Sequence, residues 1–388
     1  MRKSKQIIPL PLAFYFCPIT LLAFSGLADS IYLAISHYRV YTDLAYKSFC
    51  TISKSINCDT VSQSPYSIFI GIPVPVWGII GYTFFLLLLL FAWNRDAQKQ
   101  RLWTILFILS LSFSIYSIIL AYISIFIIHS YCMMCIVSFG INFLVLYYIW
   151  LIRKRFGHKG FLMGIKMDFL LLWEKRKATL PVFLSFLGAL ICLSIYFPSY
   201  WIYPPPVRST AIHSGITDDG HPWIGAIDPE LTIMEFTDYL CFQCKKMHFH
   251  LRQLVVQYPD KLRLVHRHFP MDHIYNPLVK GPFHVNSGKM ALLSLYAAKK
   301  IKFWEINDML FNIDRQKGLF NIRGMAKTAR FDVIEFAKST NNETLQRKLR
   351  ADIRDGIKLG ITGTPAYLIN AEVYVGNVPP KLLNVLRD

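Results

Sequence analysis

The chain has 388 residues, room for two or three domains, and 54% of them are hydrophobic. That is too apolar for a soluble enzyme of this length. A net charge of +18 points first to nucleic acid, but many of the basic residues flank apolar runs, which turns the reading from nucleic acid to membrane.

Taken in order, five stretches reach bilayer-spanning length: residues 12–34, 74–93, 102–128, 133–152 and 180–202. The first follows Arg2, Lys3 and Lys5, runs past the length of a signal-peptide core and lacks a small-residue cleavage site, so a retained anchor is expected. Asp29 lies near its outer end. The loop behind it carries Cys50 and Cys58 and three basic residues, Arg39, Lys47 and Lys54. The N-terminus, the connection around Lys99 and the connection of residues 153–177 together carry fourteen Lys and Arg. This asymmetry predicts those three segments on the cytoplasmic side and everything after Tyr203 outside, in an oxidising space. Phe161–Lys177 sets Phe169, Leu170, Leu171, Leu172 and Trp173 beside basic residues, which reads as a short interfacial helix or as a polar loop. Ser110, Ser112, Ser114 and Ser117 read as small residues for close helix packing. Cys17 and Cys192 read as packing residues, and His129 as an interfacial histidine.

Residues 204–229 open on Pro204-Pro205-Pro206 and continue in Ser, Thr, Gly and Asp, the composition of a linker between a membrane domain (1–203) and a soluble one (230–388). Beyond it, Leu231–Phe236 reads as a buried strand, a helix runs from Cys241 to before Pro259, and Leu262–His268 reads as a second strand. Residues 283–356 are largely helical with a break at Asn341-Asn342. Residues 366–370 and 373–375 read as a hairpin, and 379–387 as a closing helix. A β-α-β start, a helical insert and a β-β-α finish describe a thioredoxin fold.

Six of the eight cysteines fall into pairs whose spacing suits thiol–disulfide exchange: Cys50 with Cys58, Cys132 with Cys135, and Cys241 with Cys244. Cys241-Phe242-Gln243-Cys244 lies at a strand-to-helix junction, where the helix dipole and unpaired N–H groups stabilise a thiolate. A CxxC is also half of a zinc site, but no second CxxC or His-x3-His lies in the soluble domain at suitable spacing, although His248 and His250 are near. No metal is expected. Thr362-Gly363-Thr364-Pro365 reads as a cis-proline facing the CxxC, with the backbone of Thr364 free to pair with an incoming peptide.

With Phe236-Thr237-Asp238-Tyr239-Leu240 before the first cysteine and Gly363-Thr364-Pro365-Ala366, the domain resembles the DsbA-like branch of the thioredoxin superfamily. Its Phe-Gln dipeptide departs from the Pro or His common in strong oxidants. The whole chain resembles bacterial members of the vitamin K epoxide reductase family fused to a thioredoxin-like domain. The residues that carry this are Cys50 and Cys58, Asp59, Val61, Ser64, Pro73-Val74-Pro75-Val76-Trp77-Gly78, Cys132 and Cys135. The resemblance implies a four-helix membrane bundle around a quinone, a fifth linking helix, and an α/β thioredoxin-fold domain with a helical insertion. It implies a bacterial inner-membrane location with that domain periplasmic. It also implies quinone contacts at Ser64, Trp77 and Phe139, although Val74 and Phe139 stand where relatives place an Asn and a Tyr. The implied activity passes electrons from reduced secreted proteins through Cys241/Cys244, Cys50/Cys58 and Cys132/Cys135 to ubiquinone or menaquinone. The alternative is a membrane-anchored isomerase, chaperone or redox sensor without quinone turnover.

Overall fold

The computed structural model describes residues 11–44, 46–51, 56–92, 102–128, 130–157, 160–202, 212–313 and 321–386. It divides into two compact units, Met1–Tyr200 and Trp201–Asp388.

The first unit is helical: α1 (Leu12–Thr42), the short α2 (Cys58–Ser62), a small hairpin of β1 (Ile68–Phe69) and β2 (Ile72–Pro73), then α3 (Val74–Ala92), α4 (Trp103–Tyr122), α5 (Met133–Phe156), α6 (Phe161–Glu174) and α7 (Arg176–Tyr196). A wider, π-type stretch extends α4 through Ile123–Ile128. Counting that stretch with α4, the helices α1, α3, α4, α5 and α7 are long and apolar enough to cross a membrane, as the five apolar stretches predict.

Two bounds differ from expectation. Helix α1 continues to Thr42 because its polar end finds partners: Ser36 accepts from Tyr46 and His37 bonds Ser67 and Tyr200. Helix α7 stops at Tyr196 rather than 202, since the residue before Pro198 is forced out of helical backbone. Helix α6 is the interfacial candidate, and it presents Phe161, Leu162, Phe169 and Trp173 outward. Its inward Asp168 accepts N–H bonds from Leu102, Thr104 (2.9 Å) and Ile105 (3.0 Å), completing the N-terminus of α4. The core of this unit joins Ile19 and Ala23 of α1, Phe85 and Leu89 of α3, Leu106 of α4 and Val145 and Ile149 of α5.

The second unit is built on a six-stranded sheet of order β3-β4-β6-β5-β7-β8. Its strands are β3 (Ser214–Ile216), β4 (Pro222–Gly225), β5 (Leu231–Thr237), β6 (Leu262–His268), β7 (Ala366–Ile369) and β8 (Glu372–Val375). Strands β5 and β6 run parallel, joined by α8 (Phe242–Gln257), and β7 adds antiparallel to β5. The insert comprises α9 (Ser287–Lys299), α10 (Phe303–Phe311), α11 (Ile322–Thr328), α12 (Val333–Lys338) and α13 (Glu343–Lys358), and α14 (Pro380–Leu383) follows the hairpin. This is the expected thioredoxin fold with a helical insertion.

The stretch 204–229, read as linker, needs correcting. It contains β3 and β4, and β4 pairs with β6 through Trp223, Ile224 and Gly225. Each strand is too short to show alternation, so composition alone reads as linker. Pro204–Pro206 and His129 lie outside the described residues.

Candidate functional site

Within the first unit, Cys50–Cys58 and Cys132–Cys135 are both disulfides. Cys50, Cys58 and Cys132 are buried together, with Cys135, Leu33, Val61 and Met134 packed against them. Local bonding holds them there. Asn57 caps α2 through the N–H of Thr60 (3.0 Å), placing Cys58 in the first turn. Asp59 accepts from the N–H of Ser48 (3.2 Å) and the hydroxyl of Thr51 (2.9 Å), and so ties down the Cys50 loop. The Asn57 N–H donates to Tyr131 O at 3.0 Å and Ser130 donates to Asn57 O at 3.2 Å, pinning the Cys58 segment against the one that enters Cys132. Cys132 is the N-cap of α5, its sulfur accepting from the Cys135 N–H at 3.2 Å.

Cys135 is in the wall of a cavity of about 500 Å³. The sequence-derived Ser64, Trp77 and Phe139 line the same cavity, together with Val74 and Tyr116. Ser64 donates to Val61 O (2.7 Å) and the Trp77 indole to Phe69 O (2.9 Å), so both side chains are held by backbone. Ser112 and Ser117, read as packing residues, also line it, and Ser117 accepts from Asn142, which in turn accepts from Tyr82 at 2.6 Å.

Two further residues belong to the site without a role there being expected from the sequence. His37 is fully buried and lines the cavity; because Ser67 gives its proton to Ser64 O (2.8 Å), the His37 Nε2–H donates to Ser67 (3.2 Å) and Nδ1 accepts from Tyr200 (2.8 Å). Asp29 is buried and accepts from Ser138, a cavity residue one turn beyond Cys135. The other Asp29 oxygen, Oδ1, has no hydrogen-bond partner among the described residues. The chamber is mostly apolar, with a few polar groups and one cysteine of a disulfide in its wall, room for a flat, largely apolar ligand.

In the second unit Cys241 caps α8, and its sulfur accepts from the Cys244 N–H at 3.2 Å. The Cys241 thiol also lies 3.5 Å from Thr364 O, and the Thr364–Pro365 bond is cis, as expected. The two thiols are unlike. The hydrogen bond from the Cys244 side chain, with help from His284, brings Cys241 down to about 7 against the pull of burial. Burial pushes Cys244 well up. Cys241 is therefore the thiol that ionises more readily near neutral pH, and Cys244 the one that stays protonated.

Under the sheet, Glu235, His248 and His266 bring three ligand-type atoms within 4.8 Å, a grouping the sequence does not predict. They bond to one another. Both Nδ1–H groups donate to Glu235 Oε1, at 2.7 and 2.9 Å, and Asn307 donates to His248 Nε2 at 2.9 Å. Burial alone would raise the Glu235 carboxyl; the bonds from the two imidazoles, His248 first, hold it below its usual range.

Residues 17–150 match the model of the vitamin K epoxide reductase family, and residues 232–385 that of the DSBA-like thioredoxin domain. Among solved structures, a thioredoxin-like oxidoreductase from Silicibacter pomeroyi DSS-3 is 21% identical, covering 44% of this chain and 92% of that one, with a TM-score of 0.36. The catalytic domain of Proteus mirabilis ScsC is 24% identical over 47% of this chain and 90% of that one, with a TM-score of 0.33. Among curated proteins, a Na(+)/H(+) antiporter NhaA 1 of Mycolicibacterium gilvum is 22% identical over 178 residues, 45% of this chain. The match spans only 27% of the antiporter's length, about a quarter. This chain therefore joins a vitamin K epoxide reductase family domain, residues 17–150, to a DSBA-like thioredoxin domain, residues 232–385.

Proposed function

We propose that the chain is a quinone-dependent thiol oxidase that makes disulfides in secreted proteins. The observation that carries this is the placement of Cys135 in the wall of the 500 Å³ chamber while Cys132 packs against Cys50 and Cys58. A quinone held among Ser64, Trp77, Phe139 and Tyr116 would supply the two-electron acceptor.

The protein's own residues account for the rest. Client thiols reduce a Cys241–Cys244 disulfide and leave oxidised, with Thr364 and Pro365 aligning the client backbone. The Cys241 thiolate then attacks Cys50, Cys244 displaces it from the mixed disulfide, and the Cys50–Cys58 bond opens to two thiols. Cys58 attacks Cys132, Cys50 resolves that link, and Cys135 is released as a thiolate facing the chamber. Each step exchanges one S–S bond for another, so direction follows the potentials at the two ends. Ser138 and Asp29 hold and pass a proton beside Cys135.

The hand-over between the units is tested by trapping. In a Cys244→Ala chain the Cys241 thiolate can still open the Cys50–Cys58 disulfide, releasing Cys58, but no second thiol displaces Cys50, so an internal Cys241–Cys50 disulfide should accumulate, read by mass spectrometry after non-reducing digestion. Finding Cys241 bonded only to client proteins would separate the two units into independent activities.

A further inference from the structure

In the second unit the attacking cysteine is flanked by a buried charge of the wrong sign. Asp238 is 1% exposed and three residues before Cys241, whose N–H donates to Asp238 O at 3.0 Å. Its carboxylate is fixed by N–H bonds from Leu240 and Met271, each 2.6 Å, so it cannot swing away. An anion held there opposes the formation of a second anion on Cys241. The Phe-Gln dipeptide supplies no cation to offset it.

The compensating group comes from elsewhere in the chain. His284 lies in the loop between β6 and α9, and its Nδ1 is 3.0 Å from Asp238 Oδ2. Its backbone is left-handed (φ 43°), and Phe283 stacks on the ring at 4.1 Å with the planes 14° apart. The ring is thus clamped between an aromatic face and a carboxylate, and it is 22% exposed, open to protons from solvent.

We infer that His284 is a positioning residue for the thiol-exchange reaction, an imidazolium delivered by the insert loop that neutralises Asp238 and thereby lets Cys241 ionise. The electrostatics agree in sign: His284 lowers the Cys241 thiol and Asp238 raises it. Among the described residues, Cys244 on α8 and Tyr367 on β7 also interact with the Cys241 thiol. Neither brings a positive charge. In this chain the function that a histidine inside the CxxC can serve is moved to a residue over forty positions away.

This rests on Cys241 being the attacking thiol, not on the quinone or the relay. The test is the pH dependence of alkylation of Cys241 in the full chain, read by mass spectrometry on its own peptide. Thiolate fraction rises with pH, so the native midpoint should lie near 7. His284→Ala and His284→Gln should both move the midpoint up by about one pH unit, slowing alkylation roughly tenfold below it. His284→Arg, which keeps a charge, should leave the midpoint low. An unchanged midpoint in the Ala variant, or a low midpoint in the Gln variant with its neutral hydrogen bond, would overturn the inference. Failure of the Cys241–Cys50 trap would leave this measurement intact, so the two ideas fail separately.

Discussion

Asp29 is a carboxylate inside a membrane-length helix, buried, with Ser138 on one oxygen and no partner among the described residues on the other. Burying such a group is expensive, and an ionisable residue at this depth marks function by default. Asp29→Asn keeps the shape and removes the proton site. Thiol-driven turnover should fall on the order of 100-fold, while alkylation shows Cys132 and Cys135 accumulating as thiols in place of the disulfide. A variant with native turnover would make Asp29 structural. The cysteines of both units are legible from spacing alone. The roles of Asp29, His37 and His284 are not, because their partners lie 109, 163 and 46 residues away in sequence. Single polar residues at such distances leave no periodic or spacing signal.

At the scale of elements, α1 and α3 approach closely where side chains are smallest. A Cβ on Gly26 would overlap the Tyr82 ring, and one on Gly78 would come within 2.5 Å of Ser30 Oγ. Gly26→Val should therefore displace Tyr82, loosen its bond to Asn142 and lower stability by about 1–3 kcal/mol, seen as a lower midpoint in thermal unfolding of detergent-solubilised protein. Gly78→Ala should be milder, since a serine hydroxyl can rotate. A Gly26→Val midpoint equal to native would show that the helices separate there. The spanning helices are legible because an unbroken apolar run of bilayer length seldom occurs outside a membrane span. The length of α1 is not, since it depends on partners for Ser36 and His37. Strands β3 and β4 are invisible for a related reason: they are three and four residues long, β4 gains its structure from β6 and β3 from β4.

For the whole molecule, the sequence predicts a helical bundle of membrane-length segments followed by a thioredoxin fold, and the described residues form five membrane-length apolar helices and then a six-stranded sheet with helices. Orientation follows from charge. The segments carrying fourteen basic residues alternate with the loop that carries three, which predicts the N-terminus inside and residues beyond Tyr203 outside. Reporter fusions after Tyr203 should be active only when exported. A cytoplasmic signal there would put Cys241 and Cys50 on opposite sides of the bilayer and end the proposed relay.

The clasp of Asp168 on α4 bears on how the protein is made. Helix α4 leaves the ribosome with the N–H groups of Leu102, Thr104 and Ile105 uncapped, and their acceptor follows 66 residues after Leu102. All four paired cysteines of the first unit, the last of them Cys135, have been synthesised before that carboxylate emerges. The thiols of the membrane unit are thus translated while one of its central helices still lacks its final tie. A disulfide formed there during synthesis would form in a bundle that has yet to lock, and α6 closes it from the end of α4 opposite the one that leads to Cys132.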